Sequence, residues 1–89
     1  MHNFSKHSLE RIEERKFSKE SILPIVNKKV DVIIYPSTKD SEIDLYFGKD
    51  SGKYLLVVYN SNTSTIVTVR NMRKKKKAIF NEVMSHEKE

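Results

Sequence analysis

Residues 30–70 read VDVIIYPSTKDSEIDLYFGKDSGKYLLVVYNSNTSTIVTVR, and this stretch decides the fold. Four runs of β-branched and aromatic residues, VDVIIY, EIDLYF, YLLVVY and TIVTVR, are separated by the turn-rich segments PSTKDS, GKDSG and NSNT. Separators this short suit hairpins, so the stretch predicts a four-stranded antiparallel meander. Upstream, a helix is expected from about Ser5 or Lys6 through SLERIEERK, with Leu9 and Ile12 on its apolar side. Ser18 is a candidate N-cap for a second helix, KESILPIVNK. Pro24 removes a hydrogen bond there, so this helix should be short or kinked. Downstream, Asn71 is the expected N-cap of a last helix with Ile79, Phe80, Val83 and Met84 as its apolar stripe and SHEKE as a fraying tail. The predicted order is ααββββα, an α+β fold within residues 1–89 as one domain.

Register then assigns faces. A turn centred on Ser61 and Asn62 pairs Tyr59 with Ser64, Val57 with Ile66, Leu55 with Thr68 and Lys53 with Arg70. A turn centred on Asp50 and Ser51 pairs Phe47 with Tyr54, Leu45 with Leu56 and Ile43 with Val58. On this register, Ile43, Leu45, Phe47, Val67 and Val69 share the core face. Asp44, Tyr46, Tyr59, Thr68 and Arg70 share the other with Leu55, Val57 and Ile66. That second face is too polar to bury fully, and it suits either a ligand or partial cover by the last helix.

Composition narrows the function classes. No run approaches the roughly 18 apolar residues of a membrane span. The opening MHNFSKHSLERIEERK has no apolar core of a secretory signal, and cysteine is absent, so a cytoplasmic protein without disulfides or a thiolate metal site is expected. Seventeen Lys and Arg against twelve Asp and Glu give a net charge of +5. Such a surplus concentrates phosphate-bearing partners, although lysine can also serve solubility alone. No glycine-rich phosphate loop, metal-spaced histidine pair or nucleophile elbow is present, so no cofactor and no metal are expected.

Three constellations remain. His7, Arg11 and Arg15 recur every four residues, which stacks a proton carrier beside two guanidiniums on one helix stripe. The same spacing also describes an ordinary salt-bridged helix surface. Arg70 ends an apolar strand, where Tyr59 and Thr68 would join it as phenol and hydroxyl around a phosphodiester or stacked base; alternatively it guards a strand edge against aggregation. RNMRKKKK places cations at a helix start, against the helix dipole, which a bound polyanion would offset. A solvated helix start, an acidic protein partner or a localisation signal fits that run equally. Lys6, Arg73, Lys74, Lys75, Lys76 and Lys77 are the candidate RNA contacts.

The opening FSKHSLERIEERKFSKESI, with its His-x3-Arg-x3-Arg helix, resembles a small bacterial domain family related to the RelE and BrnT toxins of toxin-antitoxin systems. YLLVVYNSNTSTIVTVRNMRKKKKAIFNE is similar to the end of BrnT-type toxins, where a hairpin leads through an arginine into a basic helix. The resemblance implies a RelE-like ribonuclease fold, metal-independent RNA cleavage that inhibits translation, and an acidic antitoxin partner. By position it carries His7, Arg11, Arg15 and Arg70 as site residues. Joined to the residue chemistry, it gives an endoribonuclease with His7 as acid or base, Arg11, Arg15 and Arg70 stabilising phosphorane charge, and Tyr59 positioning or stacking. The other expectation is a noncatalytic module that binds RNA or an acidic protein through the same surface.

Overall fold

The computed structural model describes residues 2–50 and 52–87. The elements run β1 (Asn3–Phe4), α1 (Lys6–Glu14), α2 (Lys19–Val26), β2 (Val32–Pro36), β3 (Ile43–Asp50), β4 (Lys53–Asn60), β5 (Thr65–Asn71) and α3 (Lys74–Glu87). The fold is α+β, with three helices and a five-stranded mixed sheet in the order β1-β5-β4-β3-β2. β2 to β5 form the expected antiparallel meander. The sheet as a whole is not purely antiparallel, because Asn3 and Phe4 pair in parallel with Thr65 and Ile66. A two-residue strand lies below the length at which alternation can be read from sequence.

Local chemistry sets the helix ends. The Ser5 hydroxyl accepts from the Ser8 N–H at 3.0 Å, and the Ser18 hydroxyl accepts from Ser21 N–H at 3.2 Å, so both cap helix starts. Lys16 and Lys28 follow the helix ends in the left-handed region, at φ 55 and φ 59. The N–H groups of Phe17 and Lys29 then reach back to Ile12 and Pro24 carbonyls at 2.9 and 2.8 Å. α2 keeps Pro24 inside and is short, at eight residues. Asn71 is still strand, and the carbonyl of Arg73 accepts from Lys77 N–H at 3.0 Å, so the expected Asn71 cap is replaced by a start at Arg73. Ser85 and His86 remain helical, and only residues 88 and 89 of the expected frayed tail lie outside the described residues.

The register overturns the expected faces. Asn60 Oδ1 accepts from the N–H groups of Asn62 and Thr63 at 2.9 and 3.1 Å, and Ser64 sits at φ 54, which makes a longer loop than a two-residue turn. Tyr59 therefore faces Ile66, not Ser64. The register then shifts once more between Val58 and Tyr59, where Val67 is the extra residue of a β-bulge. Beyond it, Val57 faces Val69 and Leu56 faces Arg70. The β3–β4 register also differs, with Phe47 opposite Leu56, but that shift is even and leaves the face unchanged. Ser51, half of the turn expected there, lies outside the described residues.

The main core consequently forms on the face expected to hold a ligand. Tyr46, Leu55, Val57, Tyr59, Ile66 and Val69 pack there beneath Ile22, Ile25 and Val26 of α2, with Ile12 of α1 at the margin. Leu9, expected beside Ile12, is exposed. Full burial of such aliphatic side chains contributes about 1.5–3 kcal/mol each. α2 approaches β3 so closely that a Cβ on Gly48 would lie 2.6 Å from two Ile25 carbons. On the opposite face α3 lays Phe80 and Met84 over Phe47 and Met72, with Ile33, Leu45, Tyr54 and Leu56 partly covered. Ile79, expected in the buried stripe, is exposed. No helix among the described residues is long and apolar enough to cross a membrane.

The sheet margins differ. β1 protects only the first two residues of β5, and α1 packs alongside the strand beyond them. β2 forms the other margin, and among the described residues it has no further strand beside it. Ser37 and Asp31 bond toward β3, so the alternating Val32, Ile34 and Pro36 backbones point outward, and Pro36 carries no N–H.

Candidate functional site

α1 lies beside β5, and the helix repeat brings His7, Arg11 and Arg15 to one side, one turn apart. The bulge at Val67 determines what they meet. It leaves Val69 on the buried face and turns Thr68 and Arg70 to the α3 side of the sheet. A groove of about 390 Å³ results, lined by His7, Arg11 and Arg15 on one wall and Thr68, Arg70, Asn71 and Arg73 on the other. Four guanidiniums and one imidazole thus converge, with no carboxylate in the lining. A concave surface of one charge sign focuses its field on an anion.

Arg11 organises the first wall. Its Nη1 donates to Glu14 Oε2 at 3.0 Å, and its Nε donates to His7 Nε2 at 3.4 Å. In this arrangement the neutral imidazole carries its proton on Nδ1. Arg70 and Arg73 are exposed, and neither forms an ion pair among the described residues. The groove can therefore grip non-bridging phosphate oxygens from two sides while presenting one imidazole beside them.

The other expected residues divide. Tyr59 is not in the groove; it is 6% exposed, in the main core, on the opposite face from Arg70. Its hydroxyl meets His2 Nδ1 at 2.7 Å, while His2 Nε2 meets Asn27 Oδ1 at 2.7 Å. Because Asn27 Oδ1 can only accept, Nε2 donates, and Tyr59 donates to Nδ1 of the neutral ring. Lys6 is exposed at the start of α1, outside the groove lining. Lys74, Lys75, Lys76 and Lys77 occupy the exposed first turns of α3. The Lys76 ammonium lies 5.9 Å from the Phe47 ring centroid, and that of Lys77 lies 5.6 Å from the Tyr54 ring centroid.

Asn71 in the groove and the His2–Tyr59–Asn27 linkage have no counterpart in the sequence reading. The polar Asn60–Ser64 segment hints at a longer loop, but the bulge has no signal in the alternation of TIVTVR. Among the described residues there is no group of three or more His, Cys, Asp or Glu able to hold a metal. Comparison with protein-family models, curated proteins and solved structures finds no match.

Proposed function

We propose that this chain is a cytoplasmic, metal-independent endoribonuclease of the RelE/BrnT toxin type, with a RelE-like arrangement of its sheet and helices and an acidic antitoxin as its natural partner. The supporting observation is the meeting of His7, Arg11 and Arg15 with Arg70 and Arg73 around one groove, although α1 and β5 are far apart in sequence. The spacing along α1 allowed a plain solvated stripe; convergence with a second arginine pair favours a phosphate site.

In the proposed reaction a phosphate of RNA enters between the arginine walls. Arg11 exchanges its long contact with His7 for a phosphate oxygen, which frees the Nε2 lone pair. Nε2 takes the proton of the ribose 2′-hydroxyl, that oxygen attacks the adjacent phosphorus, and the bond to the 5′-oxygen breaks. The leaving oxygen is protonated by solvent or by the imidazolium, giving a 2′,3′-cyclic phosphate and a 5′-hydroxyl. Arg15, Arg70 and Arg73 stabilise the added charge on the phosphorane. The test is incubation with total RNA in EDTA: cleavage that yields cyclic phosphate ends supports the proposal, and absence of cleavage or a metal requirement defeats it.

A noncatalytic RNA-binding role is favoured by one specific observation. With Tyr59 on the opposite face, His7 is the only imidazole among the described residues lining the groove, and no carboxylate or phenol there could serve as the second proton carrier. Binding of RNA in the same assay without turnover would assign that role.

A further inference from the structure

Two grooves on the α3 side of the sheet are joined by a single row of side chains. Tyr35 pairs with Leu45, Leu45 with Val58, and Val58 with Thr68. Directly paired residues share a face, so these four form a line across the strands, about 14 Å long at a strand spacing of ~4.8 Å. None of the four is buried. α3 packs over the adjacent row through Ile33, Phe47 and Leu56, and of the four it partly covers Leu45.

Thr68, at one end, lines the arginine groove. At the other end Tyr35 is 45% exposed and meets the Phe47 ring edge-on at 5.8 Å between centroids. It opens onto a cavity of about 260 Å³ whose wall also includes Ile33, Leu45, Ile79 and Phe80, with Lys76 its only charged member. An aromatic ring, apolar walls and one cation at the rim suit a flat base attached to a phosphate.

We infer that this cavity is a base-binding subsite for an unpaired nucleotide of the same RNA strand whose phosphate occupies the arginine groove. The inference rests on the proposed RNA function. The row from Thr68 to Tyr35 gives the strand its course across the sheet, and Lys76 meets the phosphate of the bound nucleotide. Charge complementarity favours this occupant over a second copy, since each copy carries +5 and would bring like charge to Lys76. Continuity with the arginine groove favours it over a protein segment.

The probe is a short 2′-O-methyl RNA, which cannot be cleaved, made intact and with an abasic position at each site in turn. Fluorescence anisotropy compares wild-type protein with Tyr35→Ala, whose exposed position spares the fold, and with Tyr35→Phe. Tyr35→Ala should weaken binding of intact RNA about tenfold, Tyr35→Phe should retain it, and the loss should vanish on RNA lacking one particular base. Equal loss on intact and abasic RNA, or no loss, overturns the subsite. The RNA function survives that result when Arg70→Ala still weakens binding. Failure of wild-type protein to bind any of the RNAs overturns both. Unchanged RNA affinity with loss of a protein partner in Tyr35→Ala assigns the cavity to that partner and also overturns the subsite.

Discussion

The Tyr59 hydroxyl and His2 Nδ1 lie 2.7 Å apart, which fastens the start of the chain to the main core on the face away from the arginine groove. A phenol so placed stabilises the fold and has no route to a phosphate on the other side. Tyr59→Phe should cost about 0.5–1.5 kcal/mol of stability by loss of one hydrogen bond. RNA affinity and any cleavage should stay unchanged. Urea unfolding and binding assays on the same preparation check this; loss of RNA affinity at full stability would return Tyr59 to the site.

His7 and Arg70 lie outside the core and should behave oppositely. His7→Ala and Arg70→Ala should each remove RNA cleavage while shifting stability by less than about 0.5 kcal/mol. Leu55→Ala, at a fully buried position, should cost about 2–5 kcal/mol, whereas Leu56→Ala on the half-covered face should cost less. Equal costs for the two leucines would contradict the assignment of faces.

Gly48 is a packing requirement. Because an added Cβ would meet two Ile25 carbons at 2.6 Å, Gly48→Ala should destabilise by about 1–3 kcal/mol through displacement of α2. Pairing it with Ile25→Val or Ile25→Ala should recover part of that loss. A simple sum of the single-variant costs in thermal melts would exclude the steric explanation.

The lysine run offers a test by salt. If Lys74 to Lys77 bind phosphates of single-stranded RNA, neutralising them should lower the slope of log affinity against log salt by about 0.7 for each phosphate no longer bound. Lys76 should matter most, being the one of the four that lines the cavity beside Tyr35. An unchanged slope removes the run from the interface.

Alkaline pH addresses Tyr46. Burial first, then the charges of Asp44 and Tyr59, hold this phenol above its ordinary value of 10.0. The unfolded chain ionises first, so this contribution to stability is full below about pH 10 and is lost as pH rises through the folded value. Tyr46→Phe should lose less stability than wild type between about pH 9 and pH 11 in urea titrations. Parallel losses would place the alkaline sensitivity elsewhere.

Most of the elements were legible because their signals are local. VDVIIY through TIVTVR carries its own turns, and Ser5 and Ser18 mark helix starts. The spacing of His7, Arg11 and Arg15 likewise showed half of the groove. The opposite wall depended on which way Arg70 points, and that follows from the one extra strand residue, because the longer loop shifts the register by an even step and leaves the faces unchanged. Neither disturbs the hydrophobic pattern of TIVTVR, so the expected register buried the wrong face and grouped Tyr59 with Arg70. A two-residue strand held by pairing with Thr65 and Ile66 leaves no periodicity to read.

The unequal margins of the sheet bear on how copies could join. Among the described residues one side ends in a strand of two residues with α1 packed beside β5 beyond it, so the longer margin open to strand addition is β2. Two molecules meeting there would each cover that longer margin. An association in which β2 meets β2 is self-complementary, so it closes at a pair and leaves no second β2 margin on which a third molecule could add.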